Sequence, residues 1–259
     1  MSQYSTDANL AKRIAIYKYR RGAIPWTAWY FGKAKIPADT RLLDVGCGNA
    51  HLWSTSTENT PKLQELHLVD LSPGMIDAAK AALRGWSLEC RFYVAPVEHL
   101  PFPSRHFDVV LANHMLYHAA DVRIALLEIA RVLKSDGLLV ASTNGRNHMM
   151  ELQTWMREAN LHTSGKLAEI ADRFGLENGA ELLGKLFTGI EIHRHEEVLE
   201  VPETKPVIDY ASSIYGPGSA PTEDGLRRLE ANLQKLIQSE GKLTIHLDSG
   251  LFRCVLAQV

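Results

Sequence analysis

The stretch LLDVGCGNA, residues 42–50, decides the reading of this chain. An apolar run ends in Asp44, and glycines follow at 46 and 48. Glycine lets the backbone approach a ligand closely, because no Cβ stands in the way. A helix is expected over 49–58, its N-terminus pointing to the same place at the carboxyl end of a sheet. The dinucleotide fingerprint G-x-G-x-x-G would need glycine at 51, where this chain has His51. A carboxylate at 44 suits a ligand carrying an ammonium group and suits a pyrophosphate poorly.

Outward from this turn, strands and helices alternate. ELHLVD (65–70) reads as a strand, and Ser72–Pro73 supplies an N-cap and an N1 proline for the helix MIDAAKAAL. ECRFYV (89–94) alternates like a strand, and FDVVLA (107–112) is a continuous apolar run suited to a strand buried on both faces. Asp121 caps VRIALLEIARVL, Gly137 is expected to end that segment, and LLVAST is the next strand. Residues 41–143 thus read β-α-β-α-β-β-α-β, a pattern for a parallel sheet with helices on both faces. Asp70 ends its strand about twenty residues after the glycine turn, where an acidic side chain can accept both hydroxyls of a ribose.

Beyond residue 146 the pattern changes. Residues 147–187 look helical, and IEIHRHEEVLEV (190–201) alternates like a strand, with His193 and His195 read as surface residues. SSIYGPGSAP (212–221) reads as a loop whose Gly216 and Gly218 would let it close as a lid. Thr222 opens a last helix with Leu226, Leu229, Leu233, Leu236 and Ile237 on one stripe. KLTIHLDSGLFRCVLAQ is a final strand in which Ser249–Gly250 would mark a bulge or a turn. Four segments follow: 1–40, helical and covering the site; 41–145, the cofactor-binding core; 146–188, a helical cap; 189–259, the completion of the sheet.

The chain resembles the class I S-adenosylmethionine-dependent methyltransferases. The resemblance rests on LLDVGCGNA, LVDLSPGMIDAAK, VEHLPFPSRHFDVVLANHMLYH and EIARVLKSDGLLVAST, in that order. It implies a Rossmann-like, doubly wound α/β fold with a seven-stranded sheet, mostly parallel, whose last strand (243–257) runs antiparallel. It implies that Gly46, Cys47 and Gly48 line the methionine part of the cofactor, with Asp44 near its ammonium. Asp70 would bind the ribose, Leu71 and Met75 would lie against the adenine, and Val97 and Glu98 would sit near the adenine's edge. Asn113 and His114 would stand beside the sulfonium. Ala50 replaces a third glycine common in relatives, and Pro96 stands where many have an aspartate for the adenine amino group, leaving that contact to Glu98 or a backbone carbonyl.

Methyl transfer from a sulfonium needs alignment and exclusion of water, and a base only when the acceptor must lose a proton. The candidates are His114, Tyr117 and His118, as a base or as acceptor-orienting groups; the two histidines would share a face if helical. A metal is not expected, because no third ligand has recognisable spacing. Tyr4, Tyr17, Trp26, Trp29 and Tyr215 are candidates for an aromatic acceptor pocket, or for packing of the N-terminal segment. Cys47 is a poor nucleophile candidate, since its backbone explains its place in the turn.

With 259 residues, 46% apolar and 22% charged, the chain can bury a core without disulfides. Its three scattered cysteines and the absence of a signal-peptide pattern point to a cytoplasmic protein, and no apolar run is long enough to span a membrane. A net charge of −2 argues against nucleic acid as the partner, although Lys12, Arg13, Lys18, Arg20 and Arg21 cluster near the start. A small-molecule acceptor and a monomer or homodimer are therefore expected. The alternatives are an RNA or protein methyltransferase, a non-catalytic cofactor-binding module and, disfavoured by His51, a nicotinamide oxidoreductase.

Overall fold

In the computed structural model, residues 12–22, 24–55, 60–161, 171–215 and 220–258 are described. The elements in chain order are β1 (Arg20–Arg21), α1 (Trp26–Ala34), β2 (Thr40–Val45), α2 (His51–Ser54), β3 (Leu63–Asp70) and α3 (Pro73–Ala82). Then come β4 (Cys90–Val94), β5 (Phe107–Asn113), α4 (Val122–Val132), β6 (Leu133–Asn144) and α5 (Met150–Glu158). The chain closes with α6 (Gly179–Leu183), β7 (Phe187–Val201), α7 (Lys205–Ser213), α8 (Glu223–Glu240) and β8 (Leu243–Leu256). Tyr4 and the Gly216–Gly218 tip lie outside the described residues.

Two compact units form, each from discontinuous segments. The larger takes Ile24–Arg146, Ile170–Arg194 and Ser249–Val259; the smaller takes Met1–Ala23, Asn147–Glu169 and His195–Asp248.

In the larger unit the strands run in the order β7-β8-β6-β5-β2-β3-β4. The pairs β5–β6, β2–β5, β2–β3 and β3–β4 are parallel, and β6–β8 is antiparallel, as expected of the last strand. The strand alternation puts Leu42, Leu66, Leu68, Val109 and Leu111 on one face, in a cluster with Tyr30, Phe31, Trp53 and Ala79. Leu43, Val45, Val110 and Ala112 point to the other face, where Ala125, Leu126, Ile129 and Val132 of α4 cover them. Local signals set the helix starts. Ser72 Oγ accepts from Met75 N at 3.4 Å, and Asp121 Oδ1 accepts from Arg123 N at 2.7 Å.

The smaller unit packs β1 and the adjoining parts of β7 and β8 with α5, α7 and α8 around Leu152, Met156, Leu199, Tyr210, Leu229, Leu233 and Ile245. Thr222 Oγ1 caps α8 by accepting from Gly225 N at 3.1 Å. Leu229 and Leu233 are buried, and Leu226, Leu236 and Ile237 pack beside them.

Several expectations are corrected. Among the described residues the sheet has eight strands, not seven; the extra one, β1, pairs antiparallel with Val198 and Leu199 of β7. Of the helix expected over 49–58, the described residues form His51–Ser54, with Thr55 at its end; residues 56–58 lie outside the described residues. The α4 helix stops at Val132, well before Gly137, because Leu133 is drawn into pairing with Phe107. Ser212 and Ser213 close α7 and are not loop; this helix buries Val207, Tyr210 and Ala211, the i, i+3, i+4 pattern of one face. At Ser249–Gly250 the strand continues in unbroken register with Asn144 and Thr143. Gly250 is there for close approach: a Cβ on it would fall 2.4 Å from His193 O. His195 is not a surface residue, since only 11% of its side chain is exposed, against buried Glu197.

Candidate functional site

The strand order reverses at β2, which has β3 on one side and β5 on the other. Ligands in open α/β sheets bind outside the carboxyl ends of the strands at such a point. The LLDVGCGNA turn sits there. Gly46 and Gly48 take φ of +65° and +56°, which glycine adopts without strain. A Cβ on Gly46 would lie 2.6 Å from Met115 Cβ, whereas nothing lies within 4 Å of one on Gly48. Cys47 N–H donates to Val69 O at 3.0 Å and ties the turn to β3. With four residues, α2 is too short to supply much helix dipole, so the charge at this site comes from side chains.

Asp44 is 2% exposed. Its Oδ2 accepts from Trp53 Nε1 at 2.7 Å, and its Oδ1 is buried without a hydrogen-bond partner. Burial pushes its carboxyl up to about 7, against the pull of the Trp53 hydrogen bond, and Asp70 adds to the rise. A buried acceptor left open costs stability and marks a place built for something else. Burial, with Asp44 and Asp70 close by, also pushes the Cys47 thiol well up, which argues against a thiolate there.

Asp70, at the end of β3, accepts from Gly48 N (2.9 Å) and Ser72 N (2.8 Å). Next to it Leu71 stands 62% exposed, while Met75 is buried beneath α3's first turn. Val97 turns into the core. Glu98 Oε1 accepts from Ala120 N at 2.6 Å, so its carboxylate holds the loop before α4. The Pro96 carbonyl accepts from His99 N at 3.1 Å.

At the end of β5, Asn113 Oδ1 accepts from Ser142 Oγ at 3.0 Å, and its Nδ2 is buried without a partner. His114 follows with φ of +49°, a left-handed conformation that is strained for a side chain of this size. Its N–H donates to Ser142 O at 2.9 Å, and its ring lies 5.7 Å from that of Trp26. Tyr117 is buried in a 3-10 turn, Leu116–His118, and His118 is exposed, so the two histidines do not share a helical face. Trp26 and Trp29 pack against each other in the larger unit with tilted rings, centroids 5.0 Å apart, while Tyr17 and Tyr215 pack on the core of the smaller one. Reading the residues alone missed Trp53, Tyr30, Met115 and Ser142. Only the placement of Trp53, soon after the glycine turn, offered a signal.

A reversal in strand order, a two-glycine turn and an acidic residue closing the next strand define a Rossmann-like cofactor-binding domain. Residues 43–141 match the methyltransferase domain family, and this domain belongs to the class I S-adenosylmethionine-dependent methyltransferases. The uncharacterized methyltransferase YcgJ of Bacillus subtilis is 37% identical over 105 residues, 40% of each chain. Its crystal structure superposes with a TM-score of 0.61 over 90% of this chain and 98% of that one, at 19% identity. A malonyl-[acyl-carrier protein] O-methyltransferase of Legionella pneumophila is 31% identical over 123 residues, 48% of this chain and 43% of the relative. These two matches span less than half the length of either curated relative. Phosphoethanolamine N-methyltransferase 2 of Haemonchus contortus, solved with phosphomonomethylethanolamine and S-adenosylhomocysteine, has a TM-score of 0.60 at 18% identity. That match covers 99% of this chain and 58% of that one.

Proposed function

We propose that this chain transfers a methyl group from S-adenosylmethionine to a small-molecule acceptor, leaving S-adenosylhomocysteine. The observation that carries the reading is the buried, partnerless Oδ1 of Asp44 beside a glycine turn, an acceptor suited to an ammonium. Asp44 would hold that ammonium, and Gly46, Cys47 and Gly48 would pass close to the methionine chain. Asp70 would offer its remaining lone pairs to the ribose. Exposed Leu71 would lie on the adenine, with Met75 supporting it from below. Val97 and the chain at Glu98 would border the ring. The chemistry supplied with this cofactor is a methyl carbon already activated by a sulfonium. The protein's work is then to align the acceptor and keep water out. Of the three candidate catalytic residues, His114 takes the acceptor-facing role in this reading, because it follows Asn113 directly at the carboxyl end of β5.

Two observations support a small molecule over RNA. Arg20 pairs with Glu197 and Arg21 with Glu200, both at 3.1 Å, and Arg13 donates to Ser213 O at 2.7 Å. Much of the basic cluster near the N-terminus is therefore engaged within the smaller unit. The relatives' names point the same way: one acts on a malonyl group on a carrier protein, another was solved with a phosphorylated amine. Among the described residues no helix is long and apolar enough to cross a membrane. Calorimetric titration with S-adenosylhomocysteine and with NADH tests the cofactor. Micromolar binding of the first alone supports the reading; binding of NADH alone overturns it. Transfer of labelled methyl to a panel of small amines, carboxylates and phenols, set against tRNA, tests the acceptor class.

A further inference from the structure

The loop that follows β5 is held at both ends. At its start the His114 N–H donates to Ser142 O at 2.9 Å, and Met115 lies against the glycine turn, its Cβ 2.6 Å from where a Cβ on Gly46 would fall. At its end two side chains of opposite charge hold one stretch of backbone. Glu98 Oε1 accepts from Ala120 N at 2.6 Å and from Asp121 N at 3.4 Å. The guanidinium of Arg173 donates from Nη2 to the carbonyls of Ala119 and of Ala120, the latter at 3.2 Å. Ala120 thus has its N–H tied to a carboxylate and its C=O tied to a cation.

Arg173 is itself anchored on β6, the strand beside β5. Thr143 Oγ1 donates to Phe174 O at 2.6 Å, and Leu176 N–H donates to Asn144 O at 3.2 Å. Phe174 is fully buried, its ring 5.7 Å from that of Phe252. Gly175 N–H donates to Asn178 Oδ1 at 2.7 Å, and Asn178 Nδ2 donates to Asp172 O at 2.6 Å, so residues 172–178 close on themselves. All of these groups belong to the larger unit. Arg173 is exposed, and carbonyls near the surface can be satisfied by water. What a planar guanidinium adds to them is a fixed direction. His114 keeps its φ of +49° between these ties. A residue in that conformation persists only where its surroundings over-determine it. The β6 carbonyl fixes one end of the loop, and Glu98 with Arg173 fixes the other.

Resting on the methyl-transfer reading above, in which His114 faces the acceptor, we infer that Arg173 is a positioning residue for the transfer: it fixes the end of the loop after β5 and so keeps His114 in its left-handed conformation. It acts through the Ala119 and Ala120 carbonyls and takes no part in holding the cofactor. The rate of an in-line displacement depends steeply on alignment. Releasing the loop therefore lowers turnover and leaves cofactor affinity in place.

The test compares wild type with Arg173→Met, which keeps the stem and removes the donors, and with Arg173→Lys, which keeps a cation of less fixed direction. Melting temperatures and amide hydrogen exchange are measured on the ligand-free proteins. Kinetics are measured as labelled methyl transfer from S-adenosylmethionine to the best acceptor in the panel of small amines, carboxylates and phenols. Arg173→Met melts within about 2 °C of wild type, as a surface substitution should. Its amides at 115–121 exchange at least about fivefold faster, while those of β2 and β5 keep wild-type rates. Its kcat falls at least about tenfold, and its KM for S-adenosylmethionine stays within about twofold. Arg173→Lys regains part of the lost kcat. Unchanged exchange or unchanged kcat in Arg173→Met overturns the inference. So does a parallel loss of melting temperature, kcat and cofactor affinity, which marks a residue that only supports the fold. In those outcomes methyl transfer by wild type leaves the reading itself standing. Wild type that binds S-adenosylhomocysteine yet methylates no member of the panel overturns the small-molecule reading and this inference with it.

Discussion

Gly48 N–H donates to Asp70 Oδ2 over 2.9 Å, so the acid that closes β3 holds the glycine turn that follows β2. Its other oxygen accepts from Ser72 N at the start of α3. One carboxylate thus fixes two loops at the reversal in strand order. Any change at Asp70 acts on the shape of the site as well as on contacts to a ribose.

Asp70→Ala is therefore expected to lose stability together with ligand binding. Removing the carboxylate leaves two backbone N–H groups without their acceptor, at a cost of about 1–3 kcal/mol. Asp70→Asn keeps one acceptor oxygen and recovers part of that loss. Urea unfolding of the ligand-free variants measures this. Equal midpoints for wild type and Asp70→Ala would show that the two hydrogen bonds do not support the fold.

Asp44 sets a pH dependence. Its carboxyl is held at about 7 in the folded protein, above the ordinary 3.8, chiefly by burial. The folded state therefore binds this proton more tightly than the unfolded state does. Stability from this group is full below about pH 4, falls as pH rises, and levels off above about pH 7. Asp44→Asn carries no such slope. The difference in melting temperature between Asp44→Asn and wild type, without ligand, should grow in favour of the variant from pH 5 to 7 and then hold. A pH-independent difference would contradict the shifted carboxyl. The same variant should bind S-adenosylhomocysteine far more weakly at pH 8.

Trp53→Phe removes the N–H donated to Asp44 Oδ2 at 2.7 Å. Both carboxylate oxygens are then buried without partners. The expected loss is about 1–3 kcal/mol for the open acceptor, with a further cost for the space left by the smaller ring. Because that hydrogen bond holds the Asp44 carboxyl down, the upper end of the pH slope should also move to higher pH. A stability loss with an unmoved slope would mean that Trp53 serves packing alone.

The two glycines of the turn should differ. Gly46→Ala forces a Cβ to within 2.6 Å of Met115 Cβ at a positive φ, so strain and collision add. Gly48→Ala meets nothing within 4 Å and bears only the cost of its φ, about 1 kcal/mol. Differential scanning calorimetry should rank Gly46→Ala well below Gly48→Ala. The reverse order would mean that Met115 yields easily.

What the sequence determined by itself were the features carried by neighbours along the chain. Ser72, Asp121 and Thr222 cap helices because a side-chain oxygen reaches an N–H two or three residues on, whatever the rest of the fold does. The buried runs at β2, β3, β5 and β6 and the glycine turn after Asp44 are legible for the same reason. The tertiary structure alone decided what depends on partners distant in sequence. Two residues become β1 only because Val198 and Leu199 pair with them. Helix α7 shows three buried apolar positions, Val207, Tyr210 and Ala211, too few to stand out from the chain beside it. Gly250 looks like a turn until His193 O is found 2.4 Å from where its Cβ would be. Tyr30 sits in an aromatic stretch that reads as packing; only the fold brings its buried hydroxyl near Asp44 and Asn113. Local hydrogen bonds leave a pattern in the sequence because their spacing is fixed by backbone geometry, whereas a site assembled across strands has no fixed spacing to read.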